Sequence, residues 1–125
     1  MYLLDTHTLL WFLRDDKKLS KNALELITTN KFICVSSVSL WEIAIKNSIG
    51  KLDLDFSMQQ IEQLCFEKNI TILYIRGRHL DILKTLPSLH SDPFDRLIIC
   101  QAIAENLTII TNDGKISLYP VKTIW

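Results

Sequence analysis

Four carboxylates stand where a folding chain gains least from a charge: Asp5, Glu42, Asp95 and Asp113. Asp5 closes the apolar run Tyr2-Leu3-Leu4, and Asp113 lies just past Thr108-Ile109-Ile110-Thr111. Glu42 and Asp95 fall on helical stripes that otherwise read as core. A carboxylate carried toward a core loses its hydration, so it is kept only with hydrogen-bond partners or a cation. Four such acids from four separate segments point to one shared metal. An all-oxygen donor set suits Mg²⁺ or Mn²⁺ rather than Zn²⁺, which prefers His and Cys. Metal held this way supports hydrolysis of a phosphodiester, by activating water and neutralising charge on phosphate and leaving oxygen.

Each acid also has a plainer use. Asp5 can cap a helix, although Thr6 could do so equally well. Glu42 can complete a capping box with Ser39 or pair with Lys46 one turn on. In Asp92-Pro93-Phe94-Asp95, Asp92 suits the N-cap, Pro93 the first helical position and Asp95 the third. Capping accounts for Asp92, which is therefore left outside the ligand set, but only partly for Asp95. Asn112-Asp113-Gly114 is turn chemistry. Taken together, four unrelated coincidences are less economical than one site.

Within that site Asp5 and Asp95 are expected as principal metal ligands, with Glu42 binding directly or through water. Asp113 is expected to hold a second metal or orient the attacking water. Thr6 and Ser37 are expected to support the carboxylates by hydrogen bonds, and Lys46 or Arg96 to hold a phosphate or a neighbouring acid. Without metal the acids repel one another, so at least one carboxyl should titrate above its ordinary range. Two basic clusters, Arg76-Arg78-His79 and Lys46-Lys51, are candidates for phosphate contacts. His7, His79 and His90 share no metal-ligand spacing and read as surface or satisfied histidines. Trp11, Trp41 and Trp125 read as core or interface anchors.

Positioning these residues requires strands and helices in alternation. Short apolar runs near Tyr2–Asp5, Phe32–Val35, Ile70–Ile75 and Thr108–Thr111 read as strands, with Val121–Trp125 as a possible fifth. They lack two-residue alternation, as strands covered on both faces of a parallel sheet do. Segments of helical length separate them, which predicts right-handed βαβ crossovers. The expected architecture is α/β: three α/β/α layers around a central, mainly parallel sheet of four to five strands, with residues 1–125 as one domain. Ligands of such sheets bind beyond the carboxyl ends of the strands, the edge that Asp5 and Asp113 should reach. At about 100° per residue, Asp95 shares a face with Ile98, Ile99, Ala102 and Ile103, opposite Leu97 and Cys100. Glu42 likewise stands with Val38, Ile45 and Ile49. Both are expected near helix N-termini, where the dipole favours anions.

The bulk properties set outer bounds. The 125 residues are 48% hydrophobic and 22% charged, which excludes a disordered or fibrous chain. Fourteen basic residues balance 14 acidic ones, so contact with a polyanion must rest on local patches. Cys34, Cys65 and Cys100 form no C-x-x-C pair and read as reduced thiols. No basic leader precedes the first apolar run, and no apolar stretch approaches the ~20 residues of a membrane span. The expected setting is soluble and cytoplasmic, with no membrane contact.

Taken in order, the motifs resemble the PIN-domain ribonucleases, and most closely the VapC-like toxins of type II toxin–antitoxin pairs. The carrying segments are Leu4-Asp5-Thr6-His7 with Leu10-Trp11, then Ser36-Ser37-Val38-Ser39-Leu40-Trp41-Glu42-Ile43-Ala44-Ile45-Lys46 with Gly50-Lys51-Leu52. His90-Ser91-Asp92-Pro93-Phe94-Asp95-Arg96-Leu97-Ile98-Ile99 and Thr111-Asn112-Asp113 complete the set. The resemblance implies a metal-dependent endoribonuclease with Asp5, Glu42, Asp95 and Asp113 as its acidic site. It also implies an RNA substrate, a restraining antitoxin and a homodimer. Three other readings compete: a receiver-type signalling domain, a non-catalytic PIN-like binding module, and a nuclease directed at DNA. A receiver would place an acidic pair after its first strand, where this chain has Asp5-Thr6-His7.

Overall fold

Each of the five apolar runs forms a strand in the computed structural model, which describes residues 1–125. The elements are β1 (Tyr2–Leu4), α1 (Thr6–Leu13), α2 (Lys21–Thr29), β2 (Ile33–Ser36), α3 (Ser37–Ser48) and α4 (Met58–Glu67). Then follow β3 (Ile70–Leu73), α5 (Gly77–Thr85), α6 (Pro93–Glu105), β4 (Thr108–Ile110), a short 3₁₀ turn over Ile116–Leu118 and β5 (Thr123–Ile124). All pairings are parallel, in the order β3-β2-β1-β4-β5. The sheet is thus wholly parallel and has the fifth strand.

Successive side chains of a strand point to opposite faces, and here both faces are covered. Leu4, Val35 and Ile110 join one buried cluster with Leu9, Ala23, Ile43 and Ile61. Leu3 and Ile109 join the other with Ile98, Ile99 and Ile116. This is why the strands show no polar alternation. The chain runs from β1 toward β3 on one side and returns on the other through β4, so the order reverses beside β1. That crevice is where open α/β sheets place ligands.

Two helix faces differ from expectation. In α6, Leu97 and Cys100 are buried as well as Ile98, Ile99 and Ala102, while Ile103 is only half-buried. Ile98 and Ile99 of the helix share a core cluster with Leu3 and Ile109 of the sheet, and α5 and α3 pack against it as well, so it has no broad solvent face and its stripe carries little directional information. In α3 the buried positions are Val38, Ser39, Glu42 and Ile43, whereas Ile45 is half-buried and Ile49 exposed. Val38 belongs to one core cluster and Ile43 to the other. α3 therefore bridges the two layers, and this crossing carries Glu42 inward.

The three cysteines are unpaired; burial pushes the thiols of Cys34 and Cys65 up to about 11, which makes them poor nucleophiles at neutral pH. No helix is long and apolar enough to cross a membrane.

Candidate metal centre

Asp5 follows the last residue of β1 and is 7% exposed. It is the N-cap of α1: its Oδ1 accepts from the backbone N–H of His7 at 2.8 Å and of Thr8 at 3.2 Å. Its Oδ2 accepts from the Thr111 hydroxyl, just past β4. Capping and site membership are thus not alternatives, because a strand end feeding directly into a helix places the cap at the carboxyl edge of the sheet. Thr6, not being needed as the cap, donates to Glu42 Oε1 at 2.7 Å and lies 2.9 Å from Ser39 Oγ.

Glu42 is only 3% exposed. Its second oxygen accepts from Lys46 Nζ, one turn along α3. It sits in the second turn of that helix, beyond the reach of the helix dipole, which fades within the first turn. Hydrogen bonds and Lys46 hold the charge instead. For Lys46, burial opposes its charge, but the hydrogen bond and charge of Glu42, joined by Asp92 and Asp95, hold its pKa above the ordinary value.

Asp95 lies in the first turn of α6, half-buried, with Oδ2 3.2 Å from His90 Nε2. Burial first, then the charges of Asp92, Glu42 and Asp5, push its carboxyl up to about 6 despite the His90 hydrogen bond. The Asp5 carboxyl is also raised, chiefly by burial, against the pull of its hydrogen bonds and of His7. Asp95, in the first turn of α6, is thus the carboxyl on which the charges of Asp5, just past β1, and of Glu42 in α3 act. As their side chains stand, no three of them close on a single point.

Asp113 is placed less directly. It is half-buried in the turn after β4, where its Oδ1 accepts from the Lys115 N–H at 2.9 Å. Its own N–H donates to Thr111 Oγ1 at 3.0 Å, and that hydroxyl serves Asp5, so Asp113 joins the site through Thr111.

Several expected supports lie elsewhere. Ser37 opens α3, but the N-cap is Ser36, which also donates to the buried Gln101; hydroxyls reach the acids from Thr6 and Thr111. Arg96 does not hold an acid. It donates to the carbonyls of Leu86 and Pro87 and to the Tyr119 hydroxyl, tying down the segment between α5 and α6. Arg78 forms a two-pronged pair with Glu105, which also meets the buried His79 at 2.9 Å. Glu105 is ten residues beyond Asp95 on α6, about 15 Å at helical rise, so the Arg78–His79 pair serves packing.

Other residues enter that spacing alone did not select. His90, with 9% of its side chain exposed, spans Tyr119 Oη at 2.8 Å and Asp95. Its signal was the five-residue step to Asp95 across a helix start. Asp92 caps α6 as expected, yet its charge reaches both Asp95 and Lys46. Trp41 is 57% exposed and meets Phe94 edge-on, with centroids 5.1 Å apart, so it is not a core residue. Trp11 and Trp125 do pack together, edge to face, half-buried.

The donor chemistry fits a hard divalent cation: Asp5, Glu42 and Asp95 offer only carboxylate oxygens, the carboxyls of Asp5 and Asp95 are raised, and Lys46 is the one ammonium paired with any of them. Acids gathered at the switch point of a parallel three-layer sheet define a class of α/β proteins with an anionic, metal-fitting edge. The sequence matches the PIN domain family over residues 2–122, and the chain belongs to that family. It is 30% identical over 121 residues to Ribonuclease VapC2 of Rickettsia felis, covering 92% of this chain and 88% of that one. The structure of VapBC2 from Rickettsia felis bound to a promoter DNA fragment superposes with a TM-score of 0.74 at 25% identity, covering 98% of this chain and 96% of that chain. VapBC-1 of nontypeable Haemophilus influenzae shares the fold, with a TM-score of 0.71 at 21% identity and the same coverage. The family match removes the receiver-type reading.

Proposed function

We propose that residues 1–125 form one nuclease unit, a metal-dependent endoribonuclease acting as the toxin of a toxin–antitoxin pair. The observation that carries this reading is the electrostatic coupling of Asp95 to Asp5 and Glu42 at the carboxyl edge of a PIN-family sheet. The likeness to Ribonuclease VapC2 supports RNA as substrate. The likeness to a VapBC assembly supports a protein antitoxin as partner. A homodimer is the expected oligomeric state.

Asp5, Glu42 and Asp95 would hold Mg²⁺ or Mn²⁺, with Asp113 contributing through its turn or to a second ion. Bound there, the metal would activate water and neutralise phosphate charge. The protein's own groups divide the remaining work. Thr6 and Thr111 orient Glu42 and Asp5 by hydrogen bonds, which fixes the lone pairs facing the crevice. His90, set by the Tyr119 hydroxyl, orients Asp95 and can move a proton at Nε2. Lys46 stands in as counter-ion of Glu42, and metal would take over that role, leaving the ammonium for a phosphate oxygen. A non-catalytic module would have little reason to bury Glu42 at the cost of its hydration.

The deciding experiment incubates the purified protein with total RNA and with single-stranded DNA, in Mg²⁺, Mn²⁺ or chelator. RNA fragments are expected only with metal. Intact RNA in both metals, from folded protein, would sink the nuclease reading; DNA cleavage without RNA cleavage would redirect it.

A further inference from the structure

The site continues past Glu42 into a cleft whose outer residues, His7, Lys51 and Leu52, supply no ligand to the metal centre. This cleft of about 230 Å³ opens between α1 and the loop following α3, with Thr6 and Glu42 at its inner end. Its walls are Leu10, Ile43 and Leu52, and His7, Lys46 and Lys51 line it as well. The volume is below the ~300 Å³ at which whole small-molecule sites begin, so it suits one flat group rather than an entire ligand.

The cleft is built rather than incidental. Gly50 adopts φ +73°, the left-handed turn that ends a helix. That turn lets the Lys51 N–H reach the Lys46 carbonyl at 2.9 Å. Asn47 Nδ2 donates to the Leu52 carbonyl at 2.9 Å, and Arg14 holds the Asp53 carbonyl from across the cleft. The wall is thereby pinned before anything binds. Both Glu42 oxygens are already engaged by Thr6 and Lys46, so the inner end does not present a bare charge. What remains open is an apolar slot with the Lys51 ammonium and the His7 imidazole around it. His7 is exposed and lies with its ring 5.8 Å from Trp11, tilted by 34°.

The geometry points to a nucleotide subsite in which the apolar slot takes the base next to the scissile bond and Lys51 takes its phosphate. An apolar wall with an aromatic edge stacks any base, and ammonium groups track the backbone. This assignment rests on the ribonuclease reading, but binding tests it independently of cleavage.

The test uses the Asp95→Asn protein, so that RNA survives the measurement. Binding of a short single-stranded RNA is followed by fluorescence anisotropy across a salt series. Uridine, cytidine, adenosine and guanosine 5′-monophosphates are titrated while backbone amides are observed by NMR. The mononucleotides should shift the amides of His7, Lys51 and Leu52. Lys51→Ala should reduce the salt slope by roughly 0.7, one phosphate contact on a single strand. His7→Ala should weaken binding about tenfold with the slope unchanged. Lys31→Ala, before β2 at the opposite edge, should alter neither. Unchanged slope and affinity in both folded cleft variants would overturn the subsite, as would mononucleotide shifts confined to other surfaces. Cleavage by the wild-type protein with unaffected binding in these variants removes the subsite alone; altered binding without cleavage removes the nuclease reading alone.

Discussion

Glu42 shows how far one residue can depart from its apparent environment. A carboxylate this deeply buried survives because Thr6 and Lys46 occupy its two oxygens. Removing Lys46 leaves a buried charge unpaired, the costly half of a broken ion pair. Lys46→Met should therefore melt at lower temperature in chelator, while Lys46→Met/Glu42→Gln should regain much of the loss. Calorimetry on the double-mutant cycle reads the coupling, and additive effects would show that the pair is not the support. Mn²⁺ should raise the melting temperature of Lys46→Met more than that of the wild type. Asp95 behaves oppositely. Its carboxyl is held at about 6 against an ordinary 3.8, so the folded state binds its proton more tightly than the unfolded state. Stability from this group is complete below about pH 4 and is lost as pH rises through about 6. In chelator at pH 7, Asp95→Asn should then melt roughly 5 °C higher than wild type. In Mg²⁺ or Mn²⁺ the same variant should lose RNA cleavage by 100-fold or more, roughly the scale of removing one electrostatic contributor at a site. A variant that cleaves at the wild-type rate would show that Asp95 is not in the site.

At the scale of elements, α6 carries two separate electrostatic tasks. Its first turn holds Asp95 among other acids, and its last turn holds Glu105 against Arg78 and His79 of α5. Hydrogen bonds from Arg78 and His79 hold the Glu105 carboxyl at about 2, below its ordinary 4.5. The sign is opposite to that of Asp95: this contribution is present above about pH 4.5 and is lost as pH falls through about 2. Glu105→Gln should flatten the acid limb of melting temperature against pH while leaving cleavage at pH 7 unchanged. An identical acid limb in the variant would remove the Glu105 pair as a clasp between α5 and α6. Cysteine-free or thiol-blocked protein is not needed for these measurements, since the buried thiols stay protonated at neutral pH.

For the whole molecule, a net charge of zero means that attraction of RNA depends on local groups rather than on global field. It also means that a partner carrying Arg or Lys could seat itself on the acidic edge and compete with metal. Expression of this chain alone should slow growth, and co-expression of a small neighbouring protein should restore it. Growth at the normal rate with abundant folded protein would count against a toxin, though not against a nuclease. Chelator should abolish RNA cleavage while leaving the fold intact, because two apolar clusters on either side of the sheet supply the core.

The strands, their covered faces and the α/β order were legible in the sequence because they depend on local composition, and the inward placement of Asp5 and Glu42 was legible because a buried charge must replace its hydration. So was the cap formed by Asp92, which needs only its own helix. What the sequence could not decide was which neighbour each polar group meets across the fold. Thr111 rather than Ser37 gives its hydroxyl to an acid, Arg96 turns to the carbonyls of the α5–α6 segment, and Arg78 goes to Glu105, since these partners are set by packing between distant segments. The stripes on α3 and α6 misled for the same reason. A period of 3.6 locates a buried face only when one face is buried, and these two helices are covered on more than one side. The approach of Asp5 and Glu42 to Asp95, near enough for their charges to act on its carboxyl, likewise belongs to tertiary structure. It follows from β1 standing at the reversal of strand order, with α3 crossing between the layers and α6 starting beside it.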